Sequence, residues 1–327
     1  IVPTILVIDG GFSSQLSCHV GNVDGSPLWS ARFLQTHPEA IVNTHMDFLR
    51  AGADVIITNT YQAWVDGFVK YCGVTLEEGR GLIVRAVELA KQARDSYLEE
   101  CGDNIQQEST PLIAGSVGPY GAHLCNFSEY DGSYGNTTSI EMMRNWHKPR
   151  IEALIEAGVD IIAFETIPCV KEAKMLVELL KQYPSMKAWL SFSCNDEGKL
   201  ANGEDFKSAA VLCWEANPKQ LLAVGVNCCS PLIIAKLLES INNQRSEAIP
   251  FVVYPNSGES YNPQIGWIDR DKREALEQFV DNWLDLGVRY IGGCCRTYGK
   301  PGIEGAKFET YIRCNKIEKK YGQGIPY

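Results

Sequence analysis

Three cysteines are the residues of this sequence best suited to bind a metal ion. Cys228 lies far from the adjacent pair Cys294 and Cys295 along the chain, yet both positions follow short apolar runs. If those runs are the sixth and eighth strands of a parallel barrel, the three thiolates converge at one end of it. Three sulfur ligands suit Zn²⁺ and leave a fourth position open, as in catalytic zinc sites. The pattern predicts a catalytic zinc site, with cysteines that are merely buried hydrophobes as the alternative.

Two carboxylates also follow apolar runs, Asp9 and Glu165. A buried charge requires a partner or a ligand, and the amine of an amino acid would serve. The alternatives are an internal salt bridge or a satisfied helix cap. The histidines show no paired ligand spacing and are interpreted as surface or structural residues; they are His19, His37, His45, His123 and His147.

Glycine-rich segments do not match a phosphate-binding fingerprint. Asp9-Gly10-Gly11 follows an apolar run, but G-x-G-x-x-G and the P-loop lysine motif are both missing from the sequence. This removes the usual indication of a nucleotide or flavin cofactor. Gly292 and Gly293 precede the cysteine pair, and we expect them to allow close backbone packing near the metal.

The elements that must position these residues alternate regularly. Apolar runs typical of strands covered on both faces occupy 5–11, 54–61, 111–118, 160–166, 187–194, 221–228, 250–258 and 289–295. Helical patterns occupy 38–51, 76–99, 138–156, 170–182, 206–216, 231–242, 271–286 and 302–320. This alternation predicts the α/β class and a single (β/α)₈ TIM-type barrel, one domain over 1–327, with an open doubly wound sheet as the alternative.

Two helix boundaries carry specific signals. Pro38 and Gly52 match the usual preference for proline at the first helical position and glycine just after the end. Thr138 with Glu141 three residues later predicts a capping box.

Composition narrows the class of partner. Of 327 residues, 45% are hydrophobic and 21% charged, and the formal net charge is −10, which argues against nucleic acid and anionic membranes as partners. No run approaches the ~20 apolar residues that span a bilayer. Twelve cysteines are too few for a secreted disulfide scaffold, so we expect a cytoplasmic protein, in which clustered cysteines more often bind metal or do chemistry. The sequence leaves monomer and small homo-oligomer open. It begins at Ile1 and not at methionine, so we expect a few leading residues to precede it.

Seven segments together resemble one enzyme family. They are DGG at 9–11, NTYQA at 59–63, GSVGPYGA at 115–122, FETIP at 164–168, GVNC at 225–228, YPNSGE at 254–259 and GGCCR at 292–296. In this order and over nearly the whole chain they resemble the homocysteine S-methyltransferases. Two of these segments, GSVGPYGA and YPNSGE, resemble those of the branch of the family that uses S-methylmethionine or S-adenosylmethionine as the methyl donor. The resemblance implies a (β/α)₈ barrel with catalytic zinc, in which homocysteine is methylated to methionine.

The resemblance also implies roles for individual residues. Its zinc ligands fall on Cys228, Cys294 and Cys295, and its carboxylates for the homocysteine amine on Asp9, next to Gly10, and on Glu165. Its aromatic residue for the donor pocket falls on Trp29, and Tyr61 or Tyr120 would supply further aromatic faces for a cationic donor. Gln62 is expected to be a further substrate-binding residue.

The donor and the acceptor are less defined than the metal. Thr166 and Gln62 stand where betaine-using relatives carry tyrosine, which favours a sulfonium donor over betaine. The chain is too short to add folate and cobalamin modules. The alternatives are a selenocysteine methyltransferase of the same family and a non-catalytic zinc or thiol sensor. A barrel aldolase or hydrolase is disfavoured because no strand end carries a Schiff-base lysine.

Overall fold

The computed structural model describes residues 5–102, 110–243, 245–262 and 266–299. Within them the strands are β1 Leu6–Val7, β2 Val55–Ile57, β3 Leu112–Val117, β4 Ile161–Ile167, β5 Ala188–Phe192, β6 Leu221–Asn227, β7 Phe251–Tyr254, β8 Ser260–Asn262, β9 Gly266–Ile268 and β10 Val288–Ile291. Each of the eight predicted runs therefore overlaps with a strand.

Eight of these strands form a parallel, nearly closed barrel. Their hydrogen-bonded order is β1-β10-β7-β6-β5-β4-β3-β2. A parallel bridge between Ile8 and Val55 joins the two outer strands of that order, and the Asp9 N–H donates to the Val55 carbonyl at 2.9 Å. The predicted (β/α)₈ barrel is confirmed, and the open-sheet alternative is wrong. The antiparallel pair β8–β9 is an addition that lies in the loop after β7.

Helices cover the outside of the barrel. They are α1 Phe12–Val20, α2 Phe33–Thr36, α3 Pro38–Ala51, α4 Val65–Cys72, α5 Leu76–Cys101, α6 Ile140–Glu156, α7 Val170–Leu180, α8 Phe206–Ala216, α9 Pro231–Leu238 and α10 Val280–Leu286. The last two are shorter than predicted, since short 3₁₀ turns at Arg270–Lys272 and Leu276–Gln278 replace the first half of the predicted 271–286 helix. The predicted helix at 302–320 lies outside the described residues. No helix in the described ranges is long and apolar enough to span a bilayer.

The two predicted helix boundaries have different outcomes. Helix α3 begins at Pro38 and is followed by Gly52 in the left-handed conformation at φ 106°, as expected. The predicted capping box at Thr138 and Glu141 is wrong. Ser139 adopts the extended cap conformation, and its side chain accepts a hydrogen bond from the Met142 N–H at 3.1 Å, so the cap lies one residue later.

The inside of the barrel is packed with side chains from the strands. Its largest members are Trp189 and Tyr254, whose ring centroids lie 6.2 Å apart. The indole N–H of Trp189 donates to the Tyr254 hydroxyl at 3.1 Å. These aromatic residues fill the barrel, so a ligand has room only beyond them, at the carboxyl ends of the strands.

Candidate functional site

A cavity of about 90 Å³ opens at the carboxyl ends of the strands. Of the residues predicted from the sequence, the structure brings to this cavity Asp9, Gly10, Trp29, Tyr61, Glu165, Cys228, Cys294 and Cys295. Gln62 and Tyr120 do not line it. The residues that line it and were not predicted as site residues include Ser116, Tyr130, Asn227 and Tyr254. Three of these four stand at ends of apolar runs, which is the signal that could have identified them.

The three cysteines form one cluster at this cavity. The sulfur atoms of Cys228, Cys294 and Cys295 all lie within 4.8 Å of one another, and the residues are half-buried. In this structure Cys228 and Cys294 are joined as a disulfide. Cys229, by contrast, packs in the hydrophobic layer outside the barrel, as the alternation of side chains along the strand predicted. The described residues thus place three sulfur ligands around one point, two of them in oxidised form.

Close backbone packing brings the first and last barrel strands together beside this cluster. A β-carbon on Gly11 would collide with the carbonyl oxygen of Cys294, and one on Gly292 would lie 2.8 Å from the carbonyl oxygen of Asp9. Only glycine allows this approach. The expected close backbone packing before the cysteines is therefore confirmed for Gly292, whose backbone lies against that of Asp9.

Both predicted carboxylates are buried, and each is held by other parts of the barrel. Asp9 Oδ2 accepts a hydrogen bond from the Ile57 N–H at 2.7 Å. Glu165 accepts hydrogen bonds from the hydroxyls of Ser116 and Tyr254. Burial raises the pKa of Glu165 from 4.5 to about 7, because desolvation outweighs those hydrogen bonds. The Glu165 side chain therefore exchanges its proton close to neutral pH.

Aromatic side chains form another wall of the cavity. Trp29 and Tyr61 meet edge to face with their ring centroids 6.2 Å apart, and the Trp29 indole N–H donates to Asp24 Oδ1 at 3.1 Å. Tyr130, from the loop after β3, also lines the cavity. Aromatic faces attract cations, so this wall suits a positively charged group.

Gln62 and Tyr120 are held elsewhere by hydrogen bonds. The Gln62 side-chain amide donates to the carbonyl of Pro27 at 2.9 Å. The Tyr120 ring packs against the His123 ring, with 4.3 Å between the ring centroids. The backbone N–H of Tyr120 donates to Glu172 Oε1 at 2.7 Å. The structure therefore places neither Tyr120, expected in the donor pocket, nor Gln62, expected to bind substrate, at the cavity.

A buried ionic network supports the loops that carry the aromatic wall. Arg150 donates to the carbonyls of Tyr61 at 2.9 Å and Gly118 at 2.7 Å, and to His147 Nδ1 at 3.0 Å. His147 Nε2 lies 2.7 Å from Glu172 Oε1. Burial lowers the pKa of His147 to about 4, so the imidazole is neutral, as this pattern of donors and acceptors requires. The interpretation of His147 as structural agrees with this geometry.

Comparison with known proteins identifies relatives over most of the chain. The family model Homocysteine S-methyltransferase matches residues 6–300. Betaine-homocysteine S-methyltransferase from Drosophila melanogaster is 50% identical, with 90% of this chain and 91% of that protein covered. Homocysteine S-methyltransferase 1 from Arabidopsis thaliana is 40% identical, with 89% of each covered. Selenocysteine Se-methyltransferase from Brassica oleracea var. italica is 39% identical, with 89% and 85% covered.

A solved structure matches the fold and a large share of the sequence. The metallated form of the homocysteine methyltransferase MmuM from Escherichia coli superimposes with a TM-score of 0.78 at 37% identity, covering 91% of this chain and 94% of that one. A structure of the same protein described as its oxidized form has a TM-score of 0.77 at 38% identity, covering 90% of this chain and 92% of that one.

Proposed function

Because the chain belongs to the homocysteine S-methyltransferase family and is a methyltransferase that acts on homocysteine, we propose that it uses Zn²⁺ and a sulfonium methyl donor. The observation that carries this proposal is the cluster of three cysteine sulfur atoms within 4.8 Å of one another. The cluster shares one cavity with two buried carboxylates and an aromatic wall. Metal, acceptor and donor thus each have side chains of suitable chemistry in one place.

The metal would be held by Cys228, Cys294 and Cys295. Three thiolates are soft ligands, which favours zinc over magnesium or calcium. The bond between Cys228 and Cys294 must be reduced first, so the proposal suits a reducing compartment such as the cytoplasm. Zinc bound there would supply a Lewis acid that keeps the homocysteine sulfur as a thiolate at neutral pH.

The amino-acid end of homocysteine would be bound by Asp9 and Glu165. Both carboxylates are buried and line the cavity together with the cysteines. An ammonium group between them restores a charge partner for Glu165 and favours its ionised form. Holding that end while the sulfur faces the donor restricts the approach to one line of attack.

The methyl donor would lie against Trp29, Tyr61 and Tyr130. A sulfonium loses its positive charge as the methyl group leaves. The wall therefore has to attract a cation before the transfer, which aromatic faces can do without a carboxylate partner. No general base is required, because the attacking sulfur is already deprotonated. We propose S-methylmethionine as the first donor and S-adenosylmethionine as the second.

Betaine is a second candidate donor, favoured by the name of the Drosophila relative. Its quaternary ammonium also suits aromatic faces. The support for a sulfonium is the sequence resemblance at Thr166, a residue that lines the cavity. Selenocysteine remains an alternative acceptor, since a relative of 39% identity carries that name. Family membership argues against a non-catalytic sensor.

The test is a methyl-transfer assay on reduced, zinc-loaded protein with homocysteine and each donor at equal concentration. We expect methionine from S-methylmethionine and its loss after treatment with a zinc chelator. Activity that persists without metal would contradict the zinc proposal. A faster reaction with betaine would contradict the donor proposal alone.

A further inference from the structure

The side-chain amide of Asn227 connects two of the strands that carry the site. Its Oδ1 accepts a hydrogen bond from the Thr166 N–H at 2.7 Å, and its Nδ2 donates to Thr166 Oγ1 at 2.8 Å. Thr166 belongs to β4 and Asn227 ends β6, so the amide reaches across β5, which lies between them. From β5, the Ser191 hydroxyl donates to the same Oδ1 at 2.8 Å.

Both ends of this bridge lie at irregular backbone. The register of β4 against β5 shifts between Phe164 and Ile167, and Thr166 has a left-handed φ of 59°. Cys228, the residue after Asn227, also has a left-handed φ, 49°. Residues with a β-carbon rarely adopt this conformation, which persists only where the surroundings hold it. At Thr166 the hydrogen bonds from Asn227 supply that support, because they satisfy the N–H that the bulge takes out of the ladder.

The residues beside the bridge are those to which the proposed function assigns the two ends of the acceptor. Glu165 precedes Thr166, and Cys228 follows Asn227. All of the bridging side chains are buried, with Thr166 0% and Asn227 1% exposed. The amide pair is thus the direct connection between the backbone of the amine-binding carboxylate and the backbone of one metal ligand.

We propose that Asn227 is a positioning residue that fixes the distance between Glu165 and Cys228 and thereby selects the length of the acceptor. This inference rests on the proposed function. Cysteine and selenocysteine are both one methylene shorter than homocysteine, so with the amine on Glu165 their sulfur or selenium would lie one methylene farther from the cysteine cluster, and a fixed spacing would favour homocysteine over either. A single methylene is worth roughly 10–200-fold in discrimination when the site is rigid. The rigidity here comes from the Asn227 bridge.

The test compares Asn227→Ala with Asn217→Ala. Asn217 is a matched control, because it is also a buried asparagine, its side chain donates to Gln220 Oε1 at 2.9 Å, and it precedes β6 at the opposite end of the barrel. The measurements are the melting temperature, zinc affinity by competition with a chelating dye, and kcat/KM for homocysteine and for cysteine.

We expect Asn227→Ala to weaken zinc binding and homocysteine turnover roughly 10–100-fold, the range seen for residues that orient metal ligands. Its preference for homocysteine over cysteine should narrow, whereas Asn217→Ala should keep both properties even if its melting temperature falls equally. Unchanged zinc affinity and acceptor preference in Asn227→Ala would overturn the inference.

A milder variant covers the case in which Asn227→Ala does not fold. Thr166→Val retains the shape and the N–H but removes the oxygen that accepts from Asn227 Nδ2. It should shift the acceptor preference in the same direction, and an unchanged preference counts against the inference. If wild-type protein methylates neither acceptor but binds zinc, the proposed function fails first, and a change in zinc affinity alone then reports on the bridge.

Discussion

The α-carbons of Cys228 and Cys294 lie 5.6 Å apart although 66 positions separate them in the sequence. The order of the barrel explains this proximity. Cys228 follows β6 and Cys294 follows β10, and only β7 lies between these two strands. Both loops turn inward over the same end, so their side chains meet above β7. The strand order of the barrel therefore brings the three cysteines together, although Cys228 lies far from the other two in the sequence.

Replacing one clustered cysteine should remove the metal. In Cys294→Ser a hydroxyl, which is a poor ligand, stands in place of a soft thiolate. We expect about one zinc per reduced wild-type chain and much less in the variant, with methyl transfer lost in parallel. Metal content by atomic absorption and initial rates are the measurements.

Cys213→Ser is the matched control for that variant. Cys213 is buried in the outer hydrophobic layer, on α8, away from the cluster. The substitution should lower stability modestly and leave the zinc content unchanged. Full zinc and activity in Cys294→Ser would refute the ligand assignment.

Metal uptake should depend on the redox state of the cluster. A disulfide between Cys228 and Cys294 leaves Cys295 as the single thiolate ligand of the three. Protein exposed to oxidant should therefore bind little zinc, and reduction with a phosphine should restore uptake to about one ion per chain. Zinc content that is equal before and after reduction would show that the three sulfur atoms are not the metal site.

Homocysteine binding should weaken in acid because of Glu165. Its pKa is raised to about 7, and only the ionised carboxylate attracts the ammonium group. Below that pKa the homocysteine KM should rise by up to tenfold per pH unit. Glu165→Gln should raise the KM at pH 8 and remove this component of the pH dependence. An unchanged homocysteine KM in this variant would assign Glu165 a structural role only.

The same pKa predicts the sign of a stability change. In the folded protein Glu165 retains its proton up to about pH 7, whereas in the unfolded chain it loses it near 4.5. The folded state binds more protons between these values, so this group costs stability as the pH rises through that window. In urea unfolding, wild-type protein should lose stability relative to Glu165→Gln from pH 5 to pH 8. A constant difference between the two proteins would show that the pKa is not raised.

Arg150→Met should destabilise the protein strongly. Arg150 is fully buried and donates to the carbonyls of Tyr61 and Gly118, which the variant would leave without those hydrogen bonds. We expect a loss of about 3–5 kcal/mol in the free energy of unfolding. Arg80→Met, which removes an exposed ion pair with Glu156, should cost at most about 1 kcal/mol. Equal losses in the two variants would contradict the structural role of Arg150.

The sequence predicts the barrel and the cysteine cluster because both depend on regular patterns. Apolar runs recur at the spacing of strand and helix, and residues at strand ends must share one end of a parallel barrel. The same reasoning placed Asp9 and Glu165 at the cavity. It also correctly interpreted Gly292, since a glycine beside such a cluster indicates close backbone contact.

Positions that depend on side-chain direction could not be predicted in the same way. Tyr120 follows a strand as Tyr61 does, but its backbone N–H is drawn to the buried Glu172, which the apolar period of α7 does not reveal. The amide bridge from Asn227 joins residues of two strands with a third between them, and sequence spacing carries no signal for such a pair. Loop residues such as Tyr130 reach the cavity through turns, whose sequences do not show the regular apolar pattern of strands and helices.

We expect the aromatic wall of the cavity to determine which methyl donor binds. Trp29 lines the cavity with its ring edge to face against Tyr61, and Trp29→Ala would remove the largest aromatic face from that wall. The donor KM should rise by roughly 5- to 30-fold, equivalent to the loss of about 1–2 kcal/mol of cation–π attraction, with the homocysteine KM nearly unchanged. Trp29→Phe should recover part of this loss, because a smaller aromatic face remains. Initial rates with S-methylmethionine, S-adenosylmethionine and betaine identify the donor whose KM depends on Trp29. Equal increases in the donor and homocysteine KM, or a lower melting temperature with both KM values retained, would instead make Trp29 a structural residue.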